Sequence, residues 1–189
     1  GVHPSLCNKI IRRSILEKVM KNITDNIYFG EDGICSYPCM LEADNIYIAK
    51  NKHFYIYRQN ETSVSRKYDK TVLNKLPLLI SVFDEEFEKR NFDGSVQINS
   101  YAAIYLVYNT RNDLLYNTSQ TLREKIKELK KYLTLPRFQS VFETAESTID
   151  DRQLKLKCFL LKKRYIYTLY VLFYVKDRIM MLKENKNEK

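Results

Sequence analysis

Apolar and polar positions alternate in two different ways along this chain, and the change falls near Tyr68. Residues 8–20, NKIIRRSILEKVM, set Ile10, Ile11, Ile15, Leu16, Val19 and Met20 among Arg12, Arg13, Glu17 and Lys18. Ser14 followed three residues later by Glu17 fits a capping box, so a short extended stretch to Ile11 and a helix from about Ser14 are expected. Two glycines flank a carboxylate pair in IYFGEDG, which predicts a turn over residues 27–33. Residues 34–43 have helical spacing at Ile34, Tyr37 and Leu41, with Pro38 expected to bend the helix. Residues 46–49 and 54–57 alternate apolar with polar side chains and are rich in β-branched and aromatic types, the pattern of two short strands. RQNETSVSRK, 58–67, reads as a loop by composition.

From Tyr68 onward the spacing is helical throughout. Helices are expected over 72–91, where Pro77 is a local disturbance, and over 96–117, 122–133 and 138–149. The last segment, 152–183, holds an 11-residue run from 165 to 175, YIYTLYVLFYV, with Lys162, Lys163 and Arg164 before it and Lys176 and Arg178 after it. A spanning helix needs roughly 20 apolar residues, so this run is too short to cross a bilayer. The expectation is a mainly α chain with a boundary at 67/68: a smaller mixed region over 1–67, then a helical region over 68–189 with a basic, aromatic tail.

A hydrophobic fraction of 44% with 15 Tyr and 9 Phe argues for a folded chain, and only 4 Gly and 4 Pro agree with helices rather than many tight turns. The formal charge of +9 is uneven: residues 151–189 hold 11 Lys and Arg against 4 Asp and Glu, a net +7. Such a tail suits an anionic surface. Its tyrosines suit the headgroup zone, so peripheral membrane contact through 152–183 stands beside the reading of a core helix with basic ends in water. Nucleic acid is not expected as a partner, since no helix-turn-helix, RNP or zinc-finger pattern occurs. Cys7, Cys35, Cys39 and Cys158 have no metal-site spacing and read as reduced thiols. No signal peptide is visible and a cytoplasmic location is expected, with the inner membrane face as its peripheral variant.

The acidic pair carries the candidate chemistry. Glu31 and Asp32 fall where a helix should start, and a helix amino terminus favours negative charge. An ionised carboxylate can accept a proton; the pair can equally be a helix cap. His53 could help bind a phosphate or be an ordinary loop histidine. Arg58 has the planar fork that suits oxyanions, or stands in a structural ion pair. Arg12 and Arg13 read as a solvated helix face.

The ordered set NKIIRRSIL, then IYFGEDGICSYPCMLEADNIYIAKNKHFYIYRQNETSVSR, resembles the closing part of the GT-A catalytic domain of bacterial family 2 glycosyltransferases. The matching elements are Asn8 and Lys9, the Glu31–Asp32 pair, the YxYR segment at 55–58, and Ser63 with Ser65, together about a third of the chain. The resemblance implies an α/β remnant of a GT-A domain over 1–67, and inverting transfer with Asp32 as the base and Glu31 as its neighbour. Arg58, Ser63 and His53 become weak donor- or acceptor-binding candidates. It also implies a nucleotide-sugar donor and a glycan or lipid-linked acceptor in surface polysaccharide synthesis. The full-length enzyme is expected to use Mg or Mn with the nucleotide-sugar, whereas no metal ligand or cofactor is expected in this segment. No Asp-x-Asp motif occurs in the sequence, and the strand and helix units that hold the nucleotide are not present upstream of Asn8. The segment alone is therefore expected to be inactive.

Overall fold

Gly30 adopts a left-handed backbone with φ 75°, a conformation that only glycine takes freely, and its carbonyl accepts from the N–H groups of Gly33 at 3.0 Å and Ile34 at 3.2 Å. That single residue starts a helix at Glu31, so the turn expected through Gly33 ends early and Gly33 is itself helical and buried. The computed structural model describes residues 5–21, 30–49, 55–56, 69 and 71–187. Eight α-helices lie among the described residues: α1 Arg13–Met20, α2 Glu31–Leu41, α3 Val72–Glu88, α4 Ser95–Tyr116, α5 Leu122–Tyr132, α6 Arg137–Thr148, α7 Arg152–Lys162 and α8 Ile166–Asn187. The fold is mainly α. No described helix is long and apolar enough to cross a membrane.

The sequence pattern erred at two places in the first third. Residues 46–49 form no strand, and Ile46, Tyr47 and Ile48 are exposed; of 54–57, only 55 and 56 are described, and neither is in a strand. Alternation makes a strand only where a second strand pairs with it, and none does among the described residues. The capping box at Ser14 is also absent. The N-cap position belongs to Arg12 with no side-chain cap, and Glu17 instead accepts from Arg13 Nε at 2.7 Å on an exposed face.

Backbone proximity divides the chain into two compact units, the first from described residues of 1–67 and 78–94, the second from those of 68–77 and 95–189. In the first unit α1 packs on α2: Val19, Cys35 and Cys39 are buried and Leu6, Ile11, Ile15 and Leu16 close around them. Tyr37 of α2 meets the rings of Phe83 at 5.9 Å and Phe87 at 6.4 Å on α3. At the end of α3 the chain turns through Asn91, φ 51°; the N–H groups of Phe92 and Asn91 donate to Phe87 and Glu88 carbonyls, and the Phe92 ring lies 5.5 Å from that of Phe87. This is the hydrogen-bond pair and apolar contact of a Schellman stop.

In the second unit α4 is the central helix and packs with α5, α6, α7 and α8. Ala102, Ala103, Ile98, Leu106 and Val107 are buried on it, the two alanines letting neighbours approach closely. Thr121 and Glu124 form a capping box at the start of α5, and Asp151 Oδ1 accepts the Leu154 N–H at 2.9 Å to start α7. The segment 152–183, read as one stretch from its sequence, is two helices. Arg164 sits between them at φ 59°, with the N–H of Tyr165 donating to Leu160 and that of Arg164 to Leu161, a second Schellman stop.

Pro77 interrupts α3 where its membership changes from the second unit to the first. Proline lacks an N–H, so the Leu73 carbonyl four residues back loses its helical donor. The Tyr132 hydroxyl of α5 donates to that carbonyl instead, and burial pushes the Tyr132 pKa well up from its usual value, holding the hydroxyl in its donor form. Tyr132→Phe keeps the ring but leaves the carbonyl unpaired, and is expected to lower stability by about 1–2 kcal/mol in urea denaturation with an unchanged m value.

Candidate functional site

The loop that enters α1 and the start of α2 place two of the resemblance's motifs together. Lys9 is half-buried; its Nζ donates to the Ser5 carbonyl at 2.5 Å and to Asn8 Oδ1 at 2.8 Å. Burial lowers the Lys9 pKa, and the negative charge of Asp32 opposes that lowering, so the ammonium and the carboxylate act on each other across 23 residues of chain. Asp32 is the second residue of α2 and half-buried, while Glu31 is first and exposed. The two are the acidic residues of the first turn, where the unpaired N–H groups and the helix dipole favour anions. Lys9 and Asp32 thus lie near enough in the first unit for their charges to interact.

Beneath that surface lie the thiols. Cys35 and Cys39, one turn apart on α2, are buried, and Cys35 Sγ approaches Met20 Sδ at 3.8 Å. Burial pushes the Cys39 thiol up from 9.0 to about 12, with Cys35 adding to the effect, and raises Cys35 as well. Cys158, buried in the second unit, is raised to about 11. These groups favour the protonated fold. Their folded pKa values exceed the unfolded ones, so the stability they contribute is present below pH 9.0 and is lost as pH rises towards about 12. Melting temperature followed by circular dichroism is expected to fall across that window, and Cys39→Ala to flatten part of the fall. At neutral pH a thiol reagent should modify exposed Cys7 first and reach the other three only after denaturant is added.

At the far end of α2 stands a charge cluster that the sequence reading missed. Glu42, the C-cap residue, accepts from Arg90 Nε at 2.9 Å and pairs with Lys18 of α1. Arg90 also donates to Glu86 Oε2 and to the Glu86 carbonyl, both at 2.8 Å, and Lys89 Nζ lies 2.6 Å from Glu86 Oε1. The hydrogen bond from Lys18 is the largest cause that sets the Glu42 carboxyl below its usual value; burial opposes it, and the charges of Lys18 and Arg90 add to it. Glu86 followed by Arg90 is an i, i+4 pair and was a visible signal; nothing local to Glu42 announces its partners, which are 24 and 48 residues away.

His53, Arg58 and Ser63, the weak binding candidates, lie outside the described residues, as does Ser65. Tyr55, from the YxYR segment, is exposed. Arg12 and Arg13 are exposed, as a solvated helix face requires. Among the described residues no three His, Cys, Asp or Glu side chains form a metal-ligand group. No family model matches this chain, and neither a curated protein nor a solved structure matches it.

Proposed function

We propose that this chain is the acceptor-side, C-terminal part of an inverting family 2 glycosyltransferase, with the GT-A remnant in the first unit and Asp32 as its catalytic base. The observation that supports this most directly is the electrostatic influence of Asp32 on Lys9, which brings residues of two separated motifs of the resemblance near one another in the first unit. In such a transfer Asp32 takes the proton of an acceptor hydroxyl as that oxygen attacks the anomeric carbon, and the sugar–phosphate bond to the nucleotide breaks on the opposite face. Glu31, more exposed and one residue nearer the helix start, is the neighbour that shapes the charge around it. The donor site belongs to the part of the enzyme upstream of Asn8, where the nucleotide-sugar and its Mg or Mn would be held, and the segment alone is inactive. The acceptor is a surface glycan or its lipid-linked precursor, and the enzyme works in the cytoplasm.

The test is to express the gene together with the reading frame upstream of this segment and to assay sugar release from nucleotide-sugars onto lipid-linked glycans. Transfer that requires the segment supports the proposal. An upstream frame without an Asp-x-Asp motif and a nucleotide-binding half removes it.

A second reading has its own observation in its favour: α8 is apolar on its exposed side as well as its buried one, as expected of a helix covered on both sides. On that reading the helical unit is an interaction module whether or not the first unit takes part in catalysis.

A further inference from the structure

α8 carries two apolar faces and only one of them is used by the fold. Ile166, Leu169 and Phe173 are buried against the second unit. At 100° per residue, Val171, Val175, Ile179 and Leu182 fall together on the opposite side of the helix, and all four are exposed, Val175 at 49% and Leu182 at 64%. Tyr167 and Tyr174 border the strip and are exposed too. A solvated helix face would be polar here.

The charge around the strip is mainly positive, although Lys162 is paired with Glu146 and Asp151 acts on Lys157 and Lys176. No acidic residue occurs from Arg152 to Lys176, a stretch with seven Lys and Arg. Asp177, the next acid, is turned away: it pairs with Arg111 of α4 and accepts from Tyr116. Lys157 of α7 and Lys176 of α8 stand close enough to repel, and after burial, which is the larger cause, Lys176 further lowers the Lys157 pKa. Arg164 occupies the left-handed corner between the helices, φ 59°, where glycine would be free of strain, and so fixes an exposed cation at the entry to α8.

We infer that the outer face of α8, with the basic residues at its entry and flank, docks on an anionic lipid surface. Each side of the surface matches one part of a membrane interface: the aliphatic strip enters the acyl boundary, the tyrosines sit at the headgroups, and Lys163, Arg164 and Lys176 meet lipid phosphate. A second copy of this chain fits less well, because it would bring the same positive charge to the contact. The helix lies along the bilayer, since its apolar run is 11 residues long and roughly 20 are needed to span. This inference stands on the helical unit alone and fails or holds separately from the transfer reaction.

The experiment is flotation of the 189-residue chain with vesicles of neutral phosphatidylcholine and with vesicles in which part of that lipid is replaced by anionic phosphatidylglycerol. The chain is expected to float with the anionic vesicles and weakly or not at all with the neutral ones. Val171→Ser with Val175→Ser and Leu182→Ser should weaken binding by at least about tenfold, with the helical circular dichroism kept, because none of the three is buried. Lys163→Gln with Lys176→Gln leaves the strip intact and should weaken binding to anionic vesicles on the order of tenfold, an effect that added salt also produces. No flotation with either vesicle overturns the inference, as does flotation unchanged by both sets of substitutions. Sedimentation showing a dimer that the serine variant dissociates assigns the face to a second copy and overturns it equally. So does binding of a nucleic acid duplex without flotation.

Discussion

Asp32→Asn, introduced into the proposed transferase expressed with its upstream reading frame, is expected to lower turnover by about 10²–10⁴-fold, the usual contribution of a positioned general base. Asparagine has the shape of aspartate but cannot take up the acceptor proton. Because Asp32 is at the surface of the first turn of α2 and half-buried, the substitution should leave folding nearly unchanged, which thermal denaturation of both forms would check. Donor binding should also survive, since the nucleotide site lies elsewhere in the proposal, so the loss should fall on kcat and not on the KM for the nucleotide-sugar. Glu31→Gln, at the exposed neighbour, should cost far less. Retention of near-full turnover by Asp32→Asn would remove Asp32 from the role of base, and a loss confined to KM would make it a binding residue instead.

The helices after Tyr68 were legible because each repeats apolar residues every three to four positions, and α4, expected over 96–117, runs Ser95–Tyr116. Less legible was what ends a helix with no glycine. Arg164 and Asn91 both take left-handed conformations, but arginine has no local signature for it, so α7 and α8 read as a single segment. Residues 46–49 show the opposite failure, in which a correct alternation lacks a partner to pair with. The pattern of side chains records a strand's preference for two faces and contains nothing about the second strand. In the candidate site, Glu31 and Asp32 were visible because glycine flanks them and a helix begins there. The proximity of Lys9 to Asp32 was not legible in the sequence, since no periodicity links positions 9 and 32. The Leu73 carbonyl left open by Pro77 was foreseeable in principle, whereas its filling by Tyr132, 59 residues on, belongs to tertiary packing alone.

Arg90→Ala is expected to be the most destabilising single change in the first unit, by about 3 kcal/mol. Glu86 is 1% exposed, and Arg90 is its principal partner through a side-chain ion pair and a bond to the Glu86 carbonyl. Truncating one member of a buried pair leaves the other charge desolvated, which costs about 3–5 kcal/mol where nothing else compensates. Here Lys89 keeps its contact with Glu86 and Lys18 keeps its contact with Glu42, which places the loss at the lower end of that range. Arg90→Lys retains the charge but cannot reach Glu42 and Glu86 at once with a planar fork, so it should recover only part of the loss. The same cluster sets an acid limit. The Glu42 pKa lies below its ordinary 4.5 in the folded chain, so its contribution is present above pH 4.5 and disappears as pH falls through the lowered value. Urea denaturation near neutral pH and well below pH 4.5 should therefore bring wild type and Arg90→Ala closer together in acid, as the Glu42 carboxylate that Arg90 serves takes up its proton. Glu42 is the C-cap residue of the helix whose first turn holds Asp32, so the cluster and the proposed base stand at opposite ends of α2.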